Sequence, residues 1–346
     1  MSATAPMTPN VVNRLLHDYG QLTGAALQDY LPQARPSRYL YDLMRIYPER
    51  GGKMMRSTLC IATAKAFGAT TDQAVRTAVA IELLHNALLI HDDIQDESEI
   101  RRGGQTLHQL YKVPLAINAG DALCLLSLRP LLDNRVQLGP LRSLRILEEA
   151  QRMAIESAEG QATELGWQFD NVVDLTERDY LEMVMKKTCW LATIYPLRVG
   201  AIIAHGNRIN VDRFIHFGFL LGAAFQIQDD LLNLYADNAY GKEINGDLWE
   251  GKRTLMLMHV WQRSDGAERK RITRIMSEER ATRSEVDIHW LRRSMDRYGS
   301  IRYARELAHA LAGAAGVECE RLFGHLPDSD DKNFVRGLHT WVFERT

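Results

Sequence analysis

Along most of the chain, apolar residues recur at three- and four-residue intervals. The pattern holds in VVNRLLHDYGQLTGAAL from Val11, TTDQAVRTAVAIELLHNALLIHDD from Thr70, LRSLRILEEAQRMAIESAEGQATEL from Leu141 and VDRFIHFGFLLGAAFQIQDDLLNLYAD from Val211. Such spacing lays an apolar stripe along one face of an α-helix. Strict alternation of apolar and polar residues between turn signals, the mark of a half-buried strand, is nearly absent. The pattern predicts an all-α protein. Thr71 with Asp72, and Val211 with Asp212, read as helix starts, because short polar side chains cap free backbone N–H groups. Breaks fall at PERGGK (48–53), RRGGQ (101–105), YKVP (111–114), QLGP (137–140), HGNRIN (205–210), DNAYGKEINGD (237–247) and GHLPDSDDKN (324–333). None is long or biased enough to act as an interdomain linker. Residues 1–346 are therefore expected to form one helical domain, with residues 1–10 as a mobile tail.

Composition narrows the class without adding chemistry. Charged residues make up 25% and hydrophobic ones 46%, enough for a sizeable core, and the formal net charge is −2. No global field advertises nucleic acid or an acidic membrane, so any charge argument must be local. The cysteines, Cys60, Cys124, Cys189 and Cys319, are scattered without a CxxC pair, which reads as reduced thiols in a cytoplasmic protein. MSATAPMTPN lacks an apolar signal core. The apolar stretch FIHFGFLLGAAFQIQ from Phe214 is shorter than the roughly 20 residues of a membrane span and is broken by His216 and two glutamines. A buried helix, and no transmembrane segment, is expected.

Local charge is where the chain becomes informative. In HNALLIHDDIQDESEIRRGG, an apolar run ends in Asp92, Asp93 and Asp96, followed by Arg101 and Arg102. On a helix, residues four apart share a face, so Asp92 and Asp96 point the same way. FQIQDDLLN repeats the arrangement with Asp229, Asp230 and Asn233, and Lys242 and Lys252 follow it. Like charges at this spacing weaken a helix and oppose its dipole near a C-terminus. A cation reverses that balance, and hard oxygen donors at this density suit Mg2+. Acids that hold Mg2+, with Lys and Arg that hold anions, describe a diphosphate site.

These motifs resemble those of the trans-isoprenyl diphosphate synthases, the polyprenyl synthetase family, most of all its geranylgeranyl diphosphate branch. GGKMMR, HDDIQDESEIRRG, KKT, FQIQDDLLN and GKEINGDLWEGKRT occur in the family's order between about residues 50 and 260. The resemblance implies a single large helical bundle around a central apolar cavity and a transferase of isoprenoid biosynthesis. It would join isopentenyl diphosphate head-to-tail to an allylic diphosphate through a carbocation and release diphosphate. Three Mg2+, replaceable by Mn2+, would be held by Asp92, Asp93, Asp96, Asp229, Asp230 and, more weakly, the uncharged Asn233. Arg101, Lys187, Thr188, Gln226, Lys242 and Lys252 would line the allylic substrate. Lys53, Arg56, His85, Arg102 and Phe225 would serve isopentenyl diphosphate. Asp247 would orient a lysine. A homodimer is also implied.

Product length follows from the helix that carries Asp92. Residues four, five and eight before it are Leu88, Ala87 and Leu84. In the family, bulky aromatics at the first two of these positions stop growth at fifteen carbons; here neither is aromatic. One helical turn is about 5.4 Å, close to one isoprene unit. Leu123, Leu126 and Ser127 are the expected deeper walls, and geranylgeranyl diphosphate the expected product, with a longer chain as the alternative. Two further readings stand beside this one: a class I terpene cyclase and a silent regulatory subunit. The paired Asp229–Asp230, together with Lys53, Arg56 and His85, disfavours the cyclase, and the intact first acid motif disfavours the silent subunit. Trp190, just after Lys187-Thr188, is expected to narrow the cavity.

Overall fold

The computed structural model describes residues 10–235 and 244–344. Except for Asn10, the tail expected over residues 1–10 lies outside the described residues, as does Lys242. In chain order the α-helices are α1 (Asn10–Tyr30), α2 (Asp42–Glu49), α3 (Met55–Ala66), α4 (Thr71–Gln95), α5 (Leu107–Tyr111), α6 (Val113–Asp133), α7 (Arg135–Leu138), α8 (Pro140–Phe169) and α9 (Glu177–Val184). A wider π-helical segment, Met185–Ile194, leads into α10 (Tyr195–His205). It is followed by α11 (Phe214–Asn233), α12 (Gly246–Glu250), α13 (Leu255–Arg263), α14 (Gly266–Ser277), α15 (Glu285–Arg297), α16 (Ser300–Phe323) and α17 (Asp330–Glu344). The strands among the described residues are the two-residue arms of one antiparallel hairpin, β1 (Ile100–Arg101) and β2 (Gly104–Gln105).

Both expected helix starts shift slightly, because the true caps sit one step earlier. Thr70 caps α4: its Oγ1 accepts from the Gln73 N–H at 3.4 Å, and Gln73 Oε1 accepts from the Thr70 N–H at 3.0 Å. That reciprocal pair satisfies two donors that the first turn leaves free. At the other start, Asn210 Oδ1 takes the Asp212 N–H at 3.0 Å. Val211–Arg213 is a 3-10 turn, and α11 proper begins at Phe214.

The two helices that carry acid motifs are anchored by their apolar faces. Phe214, Phe217, Leu221 and Ile227 of α11 are buried with Leu59, Tyr195, Phe323 and Phe334 in the larger core cluster. Each such side chain contributes about 1.5–3 kcal/mol by leaving water. A second cluster, with Leu27, Leu43, Tyr47, Leu83, Ala87 and Leu123, packs α4 against α1, α2 and α6. Trp190 belongs to the larger cluster and not to the cavity wall, contrary to the expectation that it narrows the cavity. Its ring is held beneath Arg152 and Arg198, whose guanidinium carbons lie 4.8 and 5.5 Å from its centroid. Arg198, itself 1% exposed, is paired bidentately with Glu149 at 2.7 and 2.8 Å and with Asp212 at 2.8 Å.

The π-helical segment lies between α8 and α11, and glycines permit both approaches. A Cβ on Gly160 of α8 would fall 2.1 Å from the Lys187 backbone nitrogen. On α11, a Cβ on Gly218 would meet Ile194 at 2.6 Å, and one on Gly222 would meet Cys189 at 2.7 Å. Thr193 Oγ1 reaches across to donate to the Gly218 carbonyl at 2.6 Å.

Helix α6 buries one face, including Ala116, Ala119, Gly120 and Leu123, and leaves the other apolar and open. Leu125 is 71% exposed, and Val136 on α7 is 80% exposed. Among the described residues, the continuous stretch Val113–Leu138 is the one helix long and apolar enough, by length and composition, to cross a membrane, and 39% of its apolar window is buried. The run from Phe214, by contrast, is core, as the sequence led us to expect.

Replacing Gly160 tests the close crossing. Gly160→Ala forces α8 away from a backbone atom that cannot yield, so a loss of about 1–3 kcal/mol is expected in urea unfolding. Gly166→Ala, where nothing lies within 4 Å of the new Cβ, is expected to gain up to about 1 kcal/mol from helix propensity.

Candidate active site

One cavity of about 490 Å3 opens between α4, α8, the π-helical segment and α11. Its polar end carries Asp92, Arg101, Lys187, Asp229, Asp230 and Lys252, and its apolar walls include Leu84, Leu88, Leu89, Ala158 and Leu191. Both acid motifs lie in the last turns of their helices, with Asp96 as the C-cap of α4. There the helix dipole disfavours negative charge, so local cations must offset it.

The three aspartates of the first motif have three different surroundings. Asp92 Oδ1 lies 3.3 Å from Lys187 Nζ, and its Oδ2 is 3.5 Å from the Arg101 guanidinium. Burial works to raise its pKa, yet Lys187, Lys252 and Arg101 together hold the carboxyl well below the usual carboxylate range. Asp93 is 0% exposed and engaged on both oxygens: Tyr47 donates to Oδ2 at 2.5 Å, and Arg101 Nε donates to Oδ1 at 2.7 Å. Although grouped on sequence with the metal-binding acids, Asp93 is turned toward Tyr47 and Arg101. Asp96 is buried; neither of its oxygens has a well-aligned hydrogen-bond donor among the described residues, although Lys252 Nζ sits 2.8 Å from Oδ2 as an ion pair. Burial pushes this carboxyl up to about 7; Lys252 opposes the rise and Asp92 adds to it.

The second motif repeats the division. Asp229 lines the cavity. Asp230 is held from both sides, by Tyr180 OH donating to Oδ2 at 2.8 Å and Gln226 Nε2 donating to Oδ1 at 2.7 Å. Its pKa rises to about 6, chiefly through burial. Thr188 Oγ1 donates to Gln226 Oε1 at 2.9 Å, so Thr188, Gln226, Asp230 and Tyr180 form one chain of hydrogen bonds. Asn233 departs from the expected weak-ligand role. It is buried, its Oδ1 accepts the Asp247 N–H at 3.0 Å, and its backbone carbonyl accepts the Asn245 N–H at 3.0 Å. It fastens the start of α12 to the end of α11.

The cations fall into two groups. Lys187 bridges Asp92 and Glu164, and Lys252 lies 2.8 Å from Asp96, 2.7 Å from Glu250 and 3.8 Å from Asp247. Arg56, His85 and Phe225 line the same cavity. Burial, with Arg56, Arg102 and Arg101, pushes His85 well below its ordinary value, so its ring is neutral at pH 7. Arg102 donates to the Tyr47 carbonyl at 2.7 Å and to Asn86 Oδ1 at 3.1 Å, packed close over Gly52. Lys53 points toward the C-terminal helix, its Nζ 5.8 Å from the Trp341 ring centroid.

Of the six side chains expected to set product length, Leu84 and Leu88 line the cavity. Ala87, Leu123, Leu126 and Ser127 do not: α6 packs behind α4. Ala87, one residue and about 100° around from Leu88, faces that interface. The opposite wall comes from α8, through Ala154, Ser157, Ala158 and Ala162. Periodicity had no means of choosing α8 over α6. It also missed Tyr47, Tyr180, Glu164 and Glu250, each of which hydrogen-bonds a residue 23 to 152 positions away in sequence. Glu164, the one charged residue on the buried face of α8, was a signal the sequence offered.

The sequence pattern of the polyprenyl synthetase family matches residues 37–291. The chain is 31% identical over 338 residues to a short chain isoprenyl diphosphate synthase of Methanothermobacter thermautotrophicus, covering 96% of this chain and 98% of that one. It is 31% identical to a geranylfarnesyl diphosphate synthase of Natronomonas pharaonis, over 94% and 95% of the two chains. Its fold superposes on geranylgeranyl pyrophosphate synthetase of Pyrococcus horikoshii with a TM-score of 0.84, at 31% identity, over 97% of this chain and 99% of that one. The helical cavity and its match over nearly the whole chain define a transferase of prenyl groups. The chain belongs to the polyprenyl synthetase family.

The Asn233 clamp gives a direct test. Asn233→Leu leaves the buried Asp247 N–H without its acceptor, a loss of about 1–3 kcal/mol, with faster hydrogen exchange expected at that amide. Asn233→Asp keeps an acceptor there and should protect the same amide as the wild type does.

Proposed function

We propose that the protein condenses isopentenyl diphosphate with an allylic diphosphate in a divalent-metal-dependent, head-to-tail reaction, with geranylgeranyl diphosphate as its main product. The observation that carries this reading is the cavity's polarity: lysines, arginines and carboxylates crowd one end, and mostly apolar side chains line the rest.

Among the described residues, no three acidic, His or Cys side chains converge into a ready-made metal cage. The donor set nevertheless fits Mg2+, which commonly binds through one or two carboxylates plus substrate phosphates. Asp96 in particular keeps buried oxygens that lack a well-aligned donor. Asp92, Asp96 and Asp229 would hold the ions, three by family precedent, with Mn2+ as a substitute. When bound, Mg2+ neutralises the charge that develops on the departing diphosphate.

The chain's own residues do the rest. Lys187, Thr188, Lys252 and Arg101 bind the allylic diphosphate and stabilise it as the carbon–oxygen bond breaks. Lys53, Arg56 and Arg102 bind the second diphosphate, and neutral His85 contributes a hydrogen bond without repelling those arginines. Phe225 and Gln226 flank the reacting carbons. The isopentenyl double bond attacks the allylic cation, and the released diphosphate takes the proton that is lost. Leu84, Leu88, Leu89 and Leu191 exclude water that would quench the cation, and they hold the growing chain. A longer product is the second reading, supported by the small side chains Ala154, Ala158 and Ala162 on the α8 wall; one relative is named a geranylfarnesyl diphosphate synthase.

We further read the open apolar face of Leu125, Leu128 and Leu132 on α6, continued by Val136, Leu141 and Leu144, as the contact of a homodimer. A continuous apolar surface invites burial, and a second copy supplies the same surface through a two-fold axis. The four free cysteines suit the reducing cytoplasm.

Purified protein with Mg2+, labelled isopentenyl diphosphate and a five-, ten- or fifteen-carbon primer should yield a dominant twenty-carbon alcohol after hydrolysis of the products. EDTA should abolish it, and failure to elongate any primer would sink the reading. Ala158→Phe is expected to shorten the dominant product by one five-carbon unit, whereas Leu88→Ala should lengthen it. Asp92→Asn and Asp229→Asn should each lower kcat by about 10²- to 10³-fold, measured at saturating metal.

A further inference from the structure

Lys252 reaches the cavity from a short, tightly built loop. Gly251 adopts a left-handed φ of +77°, with Arg283 packed 2.4 Å from where a Cβ would stand. The Lys252 N–H then returns to the Asp247 carbonyl at 2.8 Å. This turn sends the lysine side chain back over α12, between Asp96 of the first acid motif and Glu250.

Glu250 is engaged through both carboxylate oxygens. Oε2 pairs with Lys252 Nζ at 2.7 Å, and Oε1 accepts the Ser98 hydroxyl at 2.7 Å. Ser98 is 5% exposed and is itself fixed. Its N–H donates to the Asp93 carbonyl at 2.9 Å, and its own carbonyl accepts from Thr106 Oγ1 at 2.7 Å. A single carboxylate therefore joins the turn after the first acid motif to the lysine loop, across 152 residues of sequence.

The pairing has a chemical consequence. Lys252 is shared by Asp96 and Glu250, with Asp247 3.8 Å away. If Asp96 turns to a metal ion, the ammonium loses one partner and keeps the other. Glu250 then still balances a buried cation and holds it at the mouth. Without Glu250, the same ammonium would settle on Asp96 and compete with the metal for that carboxylate.

We propose that Glu250 is the positioning residue of Lys252, and that Ser98 fixes Glu250, so that this cross-loop link aims the lysine at the allylic diphosphate. The inference rests on the reading of Lys252 as a ligand of that diphosphate. It concerns how the lysine is placed, which the motif spacing does not address.

The test uses the full-length protein and the variants Glu250→Gln, Ser98→Ala and the double variant. Steady-state kinetics would be measured for each substrate, and Mg2+-dependent binding of geranyl thiodiphosphate, a slowly reacting allylic analogue, by calorimetry. Glu250→Gln keeps the size and the acceptor for Ser98 but removes the ion pair. The expected result is a rise of about ten- to a hundredfold in the allylic KM, the worth of one hydrogen bond to a charged group. The isopentenyl diphosphate KM should stay within twofold, and more Mg2+ should be needed to raise the melting temperature of the substrate-free protein. Ser98→Ala should move the same quantities in the same direction by less, and the double variant should be no worse than Glu250→Gln, as for two parts of one link. Unchanged allylic KM and metal response in Glu250→Gln would overturn the inference. So would equal rises in both KM values, or a fall in melting temperature with no change in the Mg2+ response. If the wild type fails to bind the analogue with Mg2+, the reading of the site falls first and this inference with it; wild-type binding with unaltered variants removes the inference alone.

Discussion

Two long helices, α4 and α11, end in aspartates that their own dipoles disfavour, and both ends are drawn out of water beside a cavity. A buried carboxylate without partners protonates or destabilises the fold. The architecture around the mouth can be understood as the answer to that constraint. In each motif the second aspartate is given to a tyrosine hydroxyl: Asp93 to Tyr47, Asp230 to Tyr180. The first aspartate of each pair is left facing the cavity. Lys187 and Lys252 are each shared between a first-motif aspartate and a glutamate from another helix, Glu164 or Glu250. The result is a mouth in which carboxylates outnumber cations and each lysine is shared between two of them.

That arrangement depends on backbones that approach closely. The π-helical segment bearing Lys187 and Thr188 is pressed between α8 and α11, and the absence of a side chain at Gly160, Gly218 and Gly222 sets the spacing. The wider helix also turns Trp190 inward beneath Arg152 and Arg198, while Lys187 three residues earlier points into the cavity. The same crossing thus serves the core on one side and the polar mouth on the other. The cation–π stack and the buried Arg198–Glu149 pair hold the segment from the side opposite the cavity.

Much of this was legible in the residues. The three- and four-residue periodicity marked the long helices, and i, i+4 geometry put Asp92 and Asp96 on one face. What stayed hidden was which neighbour each face meets. Ala87 and Leu88 are adjacent in sequence and equally apolar, yet Leu88 faces the cavity and Ala87 faces α6. Asn233 looked like a weakened metal ligand because its position in DDLLN suggests one; in the fold its amide is already bound to the Asp247 N–H. Helix caps one residue away from those expected reflect the same limit, since Thr70 and Thr71 offer identical side chains.

The sequence by itself determined the class of structure and the location of two charged clusters. Periodicity dictates helices, and paired aspartates followed by cations mark where opposite charges gather, because both follow from residue types at short spacing. Only the tertiary structure decided the division of labour among those residues. Whether an aspartate faces a tyrosine, a lysine or open cavity depends on partners distant in sequence, as Asp96 does on Lys252, 156 residues away. Such contacts arise from the packing of helices against one another, and short-range patterns carry no information about them.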